Sequence, residues 1–421
     1  MHDWIYLGSK KYLDHLILFH LSHHQSSGSK YNKTTTTTTT TIITDTLENT
    51  TVTRMISSMI IEILKRPTTD NNDNGDKDHN RTNIVDDPSY TIKVVKVLTS
   101  TDNSHSQQDQ QLSNVDEDLA ATATQKNEVV VHIPVLAFGM YKVPDNDDGV
   151  QIVLNAIQCG YRHFDSASIY DNEKTLGKAL QTSIFKSKIV KRSELFIASK
   201  VWNDVQKDGR DAVRRSVEQS LKDLQIDYLD ICYIHWPVPG YFVETYKELI
   251  LLCNEGKINS IGISNFNKLD YEELLSGIAK DEELLDFIPP LINQFEISPF
   301  MYRPDMIQYF QKENGILIAA SKALNRFGAG SDREDTTSMK IIQDIATLYS
   351  VTYAQILIRW SYQKGYIVLS KTSNILRMKE NRNIFGGFCL SDKEMKLLDS
   401  ITTYNDVRIR EELEVQRKMN S

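Results

Sequence analysis

From about residue 134 onward, short apolar runs alternate with segments of helical period. The predicted strands are 134–139, 162–165, 195–200, 228–235, 259–264, 291–296, 315–320 and 366–370. Runs such as Leu229-Asp230-Ile231-Cys232-Tyr233-Ile234 are nearly continuous in apolar character. That suits strands covered on both faces of a parallel sheet. Between them, Val213, Val217, Leu221 and Leu224 make one helical stripe, opposite Arg214, Arg215, Glu218 and Lys222. Phe242, Tyr246, Leu249, Ile250 and Cys253 make another, which Gly256 stops. Asp270 followed by Glu273 predicts a capping box for a helix ending near Ile278. Eight strand–helix repeats over roughly 290 residues are the size and rhythm of an α/β (β/α)8 TIM barrel. A doubly wound sheet is the alternative. It would carry a G-x-G-x-x-G turn after its first strand, whereas Gly139 is followed by Met-Tyr-Lys-Val-Pro.

The pattern is different before that point. Residues 1–127 are rich in Thr, Asn, Asp, Ser, Gln and His, with an unbroken threonine run from Thr34 to Thr41. Asn71 to Asp76 and Gln107 to Gln111 are similarly biased. Such stretches bury too little apolar area to offset the entropy of ordering them, so a mostly disordered, low-complexity extension is expected. The barrel is expected over 128–421. Two islands interrupt the extension. Met55 to Leu64 has helical spacing and predicts a short amphipathic helix. Tyr90 to Leu98 is β-rich and predicts a strand pairing with Val129 to Ile133 at the bottom of the barrel.

Composition narrows the function classes. A formal net charge of −8 without a basic stripe argues against a nucleic-acid partner. Leu16-Ile17-Leu18-Phe19 is too short to span a bilayer, so no membrane partner is expected. The four cysteines, Cys159, Cys232, Cys253 and Cys389, show no C-x-x-C spacing and read as free buried thiols, consistent with a reducing cytoplasmic setting. No ligand spacing for a metal is present.

Barrel enzymes keep their chemistry at the C-terminal ends of the strands. Those ends carry Asp165, Lys200, His235, Ser264-Asn265, Asn293-Gln294, Ser321-Lys322 and Ser370-Lys371-Thr372. Stability alone does not account for seven polar strand ends on one rim. Tyr170 follows Asp165 in the next loop. A phenol is a poor acid at neutral pH. An adjacent ammonium stabilises its conjugate base, a carboxylate holds that ammonium, and a neutral imidazole orients a substrate oxygen. The set suits protonation of a carbonyl oxygen as charge develops on it.

Four segments then carry a resemblance. They are Gly160-Tyr161-Arg162-His163-Phe164-Asp165-Ser166-Ala167-Ser168-Ile169-Tyr170-Asp171-Asn172-Glu173, Leu195 to Asn203, Tyr233-Ile234-His235-Trp236-Pro237, and Gly256-Lys257 through Ile261-Gly262-Ile263-Ser264-Asn265-Phe266. In order and spacing they resemble the signatures of the aldo-keto reductase family, across residues 134 to about 400. The resemblance implies Tyr170 as general acid, aided by Lys200 and Asp165, with His235 orienting the carbonyl. It implies that Ser264, Asn265 and Gln294 hold the nicotinamide carboxamide of NADPH, and that Ser321 also binds the cofactor. Lys371, Thr372 and Arg377 would meet its 2′-phosphate, and Glu380 and Asn381 its adenine end. Two cations there favour NADPH over NADH. Tyr141, Trp202 and Trp236 would line the pocket for an aldehyde or ketone, left open by a short loop after Trp236 and a short tail.

Two departures stand out. Ala320 occupies the place where many members stack an aromatic on the nicotinamide, a loss of about 0.5–1.5 kcal/mol, and Phe327 is the nearest aromatic that follows. Ser370 stands where a proline usually precedes the phosphate-binding lysine. A monomer is expected. The competing function is a non-catalytic regulatory or scaffold barrel that retains its cofactor. Its mark would be a broken tetrad, and Asp165, Tyr170, Lys200 and His235 are all present.

Overall fold

The computed structural model describes residues 127–281, 287–324, 336–385 and 387–404, and before them the strands at 4–7, 17–20, 59–62 and 91–98. The threonine run and the Asn- and Gln-rich stretches lie outside the described residues, as does Phe327.

Eight parallel strands close into a barrel. They are β1 (Leu136–Gly139), β2 (His163–Asp165), β3 (Phe196–Val201), β4 (Ile231–Ile234), β5 (Ile261–Ser264), β6 (Ile292–Glu296), β7 (Leu317–Ser321) and β8 (Ile367–Ser370). Each pairs with the next in sequence, and β8 returns to β1 through Val368↔Leu136, Leu369↔Ala137 and Ser370↔Phe138. All eight sit where the apolar runs predicted them, trimmed by up to three residues at an end, while β3 and β7 run one residue further, to Val201 and Ser321. In the fourth, Leu229 makes only an isolated bridge to Ile258 before β4 begins.

Helices cover the outside: α1 (Asp147–Gln158), α2 (Glu173–Gln181), α3 (Arg210–Leu224), α4 (Phe242–Asn254), α5 (Lys268–Ala279), α6 (Pro304–Ile307), α7 (Thr336–Tyr349), α8 (Tyr353–Gln363), α9 (Ile375–Arg382) and α10 (Asp392–Asp399). Val213, Val217 and Leu224 of α3 are buried, as their stripe requires. The cap of α5 differs from the predicted one. Asn267 is the capping residue, accepting from Asp270 N at 3.0 Å, while Asp270 Oδ2 accepts from Asn267 N at 2.9 Å. The capping pair is thus Asn267 with Asp270, because an amide oxygen at the cap reaches the third backbone N–H of the helix.

A second unit comprises 1–64 and 93–132. In it Trp4–Leu7 pairs antiparallel with Ile17–His20. The strands Met59–Glu62, Thr91–Leu98 and Asn127–Pro134 form a sheet in that order, so the predicted pairing of the two β-rich segments is present. The predicted helix at Met55 to Leu64 is corrected. Met59–Glu62 is a strand, paired through Met59↔Lys96 to Glu62↔Lys93. A short apolar run satisfies either period, and here the neighbouring Val/Ile-rich strand decides.

No single helix among the described residues is long and apolar enough to cross a membrane. The cysteines are free, but only Cys232 is fully buried. Cys389 is exposed, contrary to the expectation of four buried thiols.

Candidate active site

The parallel register brings the strand ends to one rim. Gly139 pairs with Asp165, Asp165 with Ala198, Val201 with Ile234, and Ser264 with Gln294. Lys200 projects from β3 into the space beside Asp165, and both are buried. Its ammonium donates to Asp165 Oδ1 at 2.6 Å and to the Ser166 carbonyl at 2.7 Å. The same nitrogen lies 5.1 Å from the centroid of the Tyr170 ring and within hydrogen-bond reach of its phenol. A three-residue helical turn, Ser168–Tyr170, presents that ring, and Ser168 Oγ ties the turn to β3 by donating to Lys200 O at 3.1 Å.

His235 completes the group. Its ring centroid lies 5.8 Å from that of Tyr170 and 5.0 Å from the nearer ring centroid of Trp202, both edge to face. Tyr141 packs on the other side of Tyr170 at 5.3 Å. Trp236 follows at the rim, half-buried, its carbonyl accepting from Gln206 Nε2 at 3.0 Å. The four predicted acid–base residues and the three predicted pocket aromatics therefore share one end of the barrel.

The electrostatics divide cleanly. Burial pulls the Lys200 ammonium down, but Asp165 and Tyr170 outweigh it and its pKa is raised, so it stays charged. Burial, with the Lys200 charge in support, holds His235 well below its ordinary value, so the imidazole is neutral at neutral pH. Its Nδ1 is buried without a partner. For Tyr170 the expectation needs correcting. Lys200 does lower the phenol's pKa, but burial raises it by more, and the net shift is upward. In this state the phenol holds a proton firmly.

At the strand ends expected to meet the nicotinamide, Ser264 Oγ donates to Gln294 O at 2.8 Å, and Asn265 Nδ2 donates to His235 O at 3.0 Å and Ser264 Oγ at 3.1 Å. Gln294 Nε2 donates to Asp165 Oδ2 at 2.7 Å, so it meets the oxygen that Lys200 leaves open, a link the sequence did not announce. The amide oxygens of Asn265 and Gln294 remain as acceptors, which fits a carboxamide N–H₂. Ser321 ends β7, partly exposed. Ala320 is wholly buried within β7, and no ring stands in its place.

Beyond β8 the picture opens out. Lys371, Arg377 and Glu380 are exposed and Thr372 is half-buried. Neither cation has a carboxylate partner among the described residues. Asn374 caps α9 by accepting from Leu376 N and Arg377 N. Two unpaired cations at the start of a helix fit a phosphate. Asn381 is buried, close to the Tyr161 hydroxyl. Of the predicted adenine-end pair, then, Glu380 faces outward and Asn381 inward.

The model of the aldo/keto reductase family matches residues 135–403, more than half of the chain. Aldose reductase B of Dictyostelium discoideum is 33% identical over 305 residues, 66% of this chain and 91% of that protein. NADP-dependent D-sorbitol-6-phosphate dehydrogenase of Malus domestica is 33% identical over 296 residues, 64% of this chain and 90% of that protein. The crystal structure of an aldo/keto reductase from Brucella melitensis aligns with a TM-score of 0.55 at 33% identity, covering 64% of this chain and 96% of that one. Barrel, rim and sequence agree: the chain belongs to the aldo/keto reductase family.

Proposed function

We propose that this chain reduces aldehydes and ketones to alcohols with NADPH, and that Tyr170 gives the proton. The observation that carries the reading is the buried Lys200 ammonium, held at 2.6 Å by Asp165 and placed against the Tyr170 phenol. When bound, the nicotinamide supplies a hydride to the carbonyl carbon. The protein's part is to receive the charge that builds on the carbonyl oxygen. Tyr170 protonates that oxygen, and Lys200, fixed by Asp165, stabilises the phenolate left behind. His235, held neutral, donates a hydrogen bond that orients the oxygen. Tyr141, Trp202 and Trp236 wall the pocket, which suits an apolar or aromatic carbonyl compound or a sugar stacked on a ring.

Ser264, Asn265, Gln294 and Ser321 are assigned to the nicotinamide end, and Glu380 and Asn381 to the adenine end. Lys371, Thr372 and Arg377 are assigned to the 2′-phosphate. Their unpaired charge supports NADPH over NADH, because NADH would leave both cations unmatched. The NADP dependence in the name of the Malus relative points the same way. The protein is taken to act as a monomer. A silent scaffold barrel is the weaker reading, since all four acid–base residues converge.

NADPH oxidation with a panel of aldehydes, in wild type and Tyr170→Phe, tests this. Turnover in wild type and a loss of about 10²–10⁴-fold in the variant, with NADPH still bound, is expected. Binding without turnover in the wild type makes the barrel a scaffold.

A further inference from the structure

The loop between β1 and α1 carries Tyr141 to the mouth of the site. Met140 to Val143 forms a four-residue turn, closed by Val143 N donating to Met140 O at 2.9 Å. Its third position holds Lys142 in the left-handed region, at φ 61°. Turns usually place Gly or Asn there, because a Cβ crowds the backbone. Met140 and Val143 at its two ends are buried, whereas Tyr141 at the tip is 56% exposed, so side-chain burial alone does not fix the tip.

Asn172, two residues beyond Tyr170, does hold it. Its side-chain amide donates to Met140 O at 2.9 Å and to Val143 O at 2.8 Å, clamping both ends of the turn. Two carbonyl acceptors require the N–H₂ to face them. Asn172 stands at the N-cap of α2, where an Asn side chain ordinarily accepts from the helix, yet it makes no capping bond. Its Oδ1 is buried without a partner. The residue forgoes the local role to present both donors to a turn some 30 positions earlier in the chain. On the far side of that turn, the Tyr141 ring rests against Tyr170.

We propose that Asn172 is a positioning residue that sets Tyr141 against Tyr170, and through it determines which carbonyl compounds the pocket accepts. Aromatic aldehydes, which need Tyr141 as a wall, depend on it; short aliphatic aldehydes do not. The proposal rests on the reading of Tyr170 as the acid and Tyr141 as pocket wall.

The test is a double-mutant cycle with NADPH. Benzaldehyde and propanal are compared in wild type, Asn172→Asp, Tyr141→Ala and the double variant. Aspartate keeps the shape but withdraws both donors and sets an anion against two carbonyl oxygens. For Asn172→Asp, KM for benzaldehyde is expected to rise about tenfold with kcat within about threefold, while propanal changes less than about twofold. In the Tyr141→Ala background the same substitution is expected to add less than about twofold. Equal losses for both aldehydes, or an undiminished effect without Tyr141, overturn the proposal and leave the reductase reading standing. A wild type that binds NADPH and reduces neither aldehyde overturns both. Should Asn172→Asp lose cooperative unfolding, Asn172→Ser is used with Lys142→Gly. Glycine relieves the left-handed strain and is expected to restore the benzaldehyde KM, and no recovery overturns the proposal.

Discussion

The two ends of the proposed cofactor groove treat charge in opposite ways. Around Tyr170 the charges are buried, paired and tied to backbone: Lys200 sits between Asp165 and the Ser166 carbonyl, and Gln294 holds the other carboxylate oxygen. Around α9 they are exposed and unpaired, with Lys371 and Arg377 standing in water. The proton transfer proposed for Tyr170 accounts for the first arrangement. Dipoles that had to reorganise at the moment of transfer would add to the barrier, so they must be in place beforehand. The phosphate binding proposed for Lys371 and Arg377 accounts for the second. The ligand brings the counter-charge, and hydration stabilises the cations until it arrives. The fold therefore bears the electrostatic strain where chemistry happens and none where recognition suffices.

If so, substitutions at the two ends should fail differently. Lys200→Met leaves Asp165 buried without its cation. Breaking such a pair destabilises by about 3–5 kcal/mol, and the reduction rate should fall by at least about 10²-fold as well. Urea unfolding beside an activity assay checks both. Full stability with lost activity would mean that the buried pair is not structural, and the contrast would break.

Acid sensitivity should also come from the buried end. His163, on β2 two residues before Asp165, is buried and its ring bonds Pro134 O at 3.1 Å. Burial drops its pKa from 6.5 to about 4. As pH falls below about 6.5 the unfolded chain takes up the proton first, so the His163 contribution to stability declines until about pH 4 and is level below it. That window corresponds to roughly 3 kcal/mol. His235 is shifted in the same direction. A His163→Gln variant should show a shallower slope of urea midpoint against pH over this range, and an unchanged slope would remove His163 from the account.

The exposed end gives the smallest effect on the fold. Lys371→Ala with Arg377→Ala should weaken NADPH by about 10–100-fold and leave NADH unchanged. Unfolding free energy should stay within about 0.5 kcal/mol, the usual range for surface substitutions. The wild-type preference for NADPH should shrink as salt rises. Equal losses for both cofactors would sharpen the comparison by moving these cations to the pyrophosphate.

Much of this was legible along the chain. Buried parallel strands leave near-continuous apolar runs, so all eight were found, and polar residues at their ends marked the rim. Trimmed strand ends, the Asn267 cap and the strand at Met59–Glu62 were less accessible, because each depends on a neighbour. Asn172 is the clearest case. It stands in the quoted motif beside Tyr170, yet its role is invisible without the Met140–Val143 turn. The upward shift at Tyr170 is another, since a Lys nearby in sequence logic says nothing of how deeply the phenol is buried.

The sequence by itself determined the repeat of strand and helix, the order of the chemical groups and their common edge. Period and strand direction are local properties that propagate through a parallel sheet. Only the tertiary structure decided which donor meets which acceptor, that Gln294 reaches Asp165 and Asn172 reaches Met140 and Val143. It also decided the balance of burial against charge at Tyr170 and His235. Those quantities depend on distance and water exclusion between segments far apart in the chain, which no local pattern encodes.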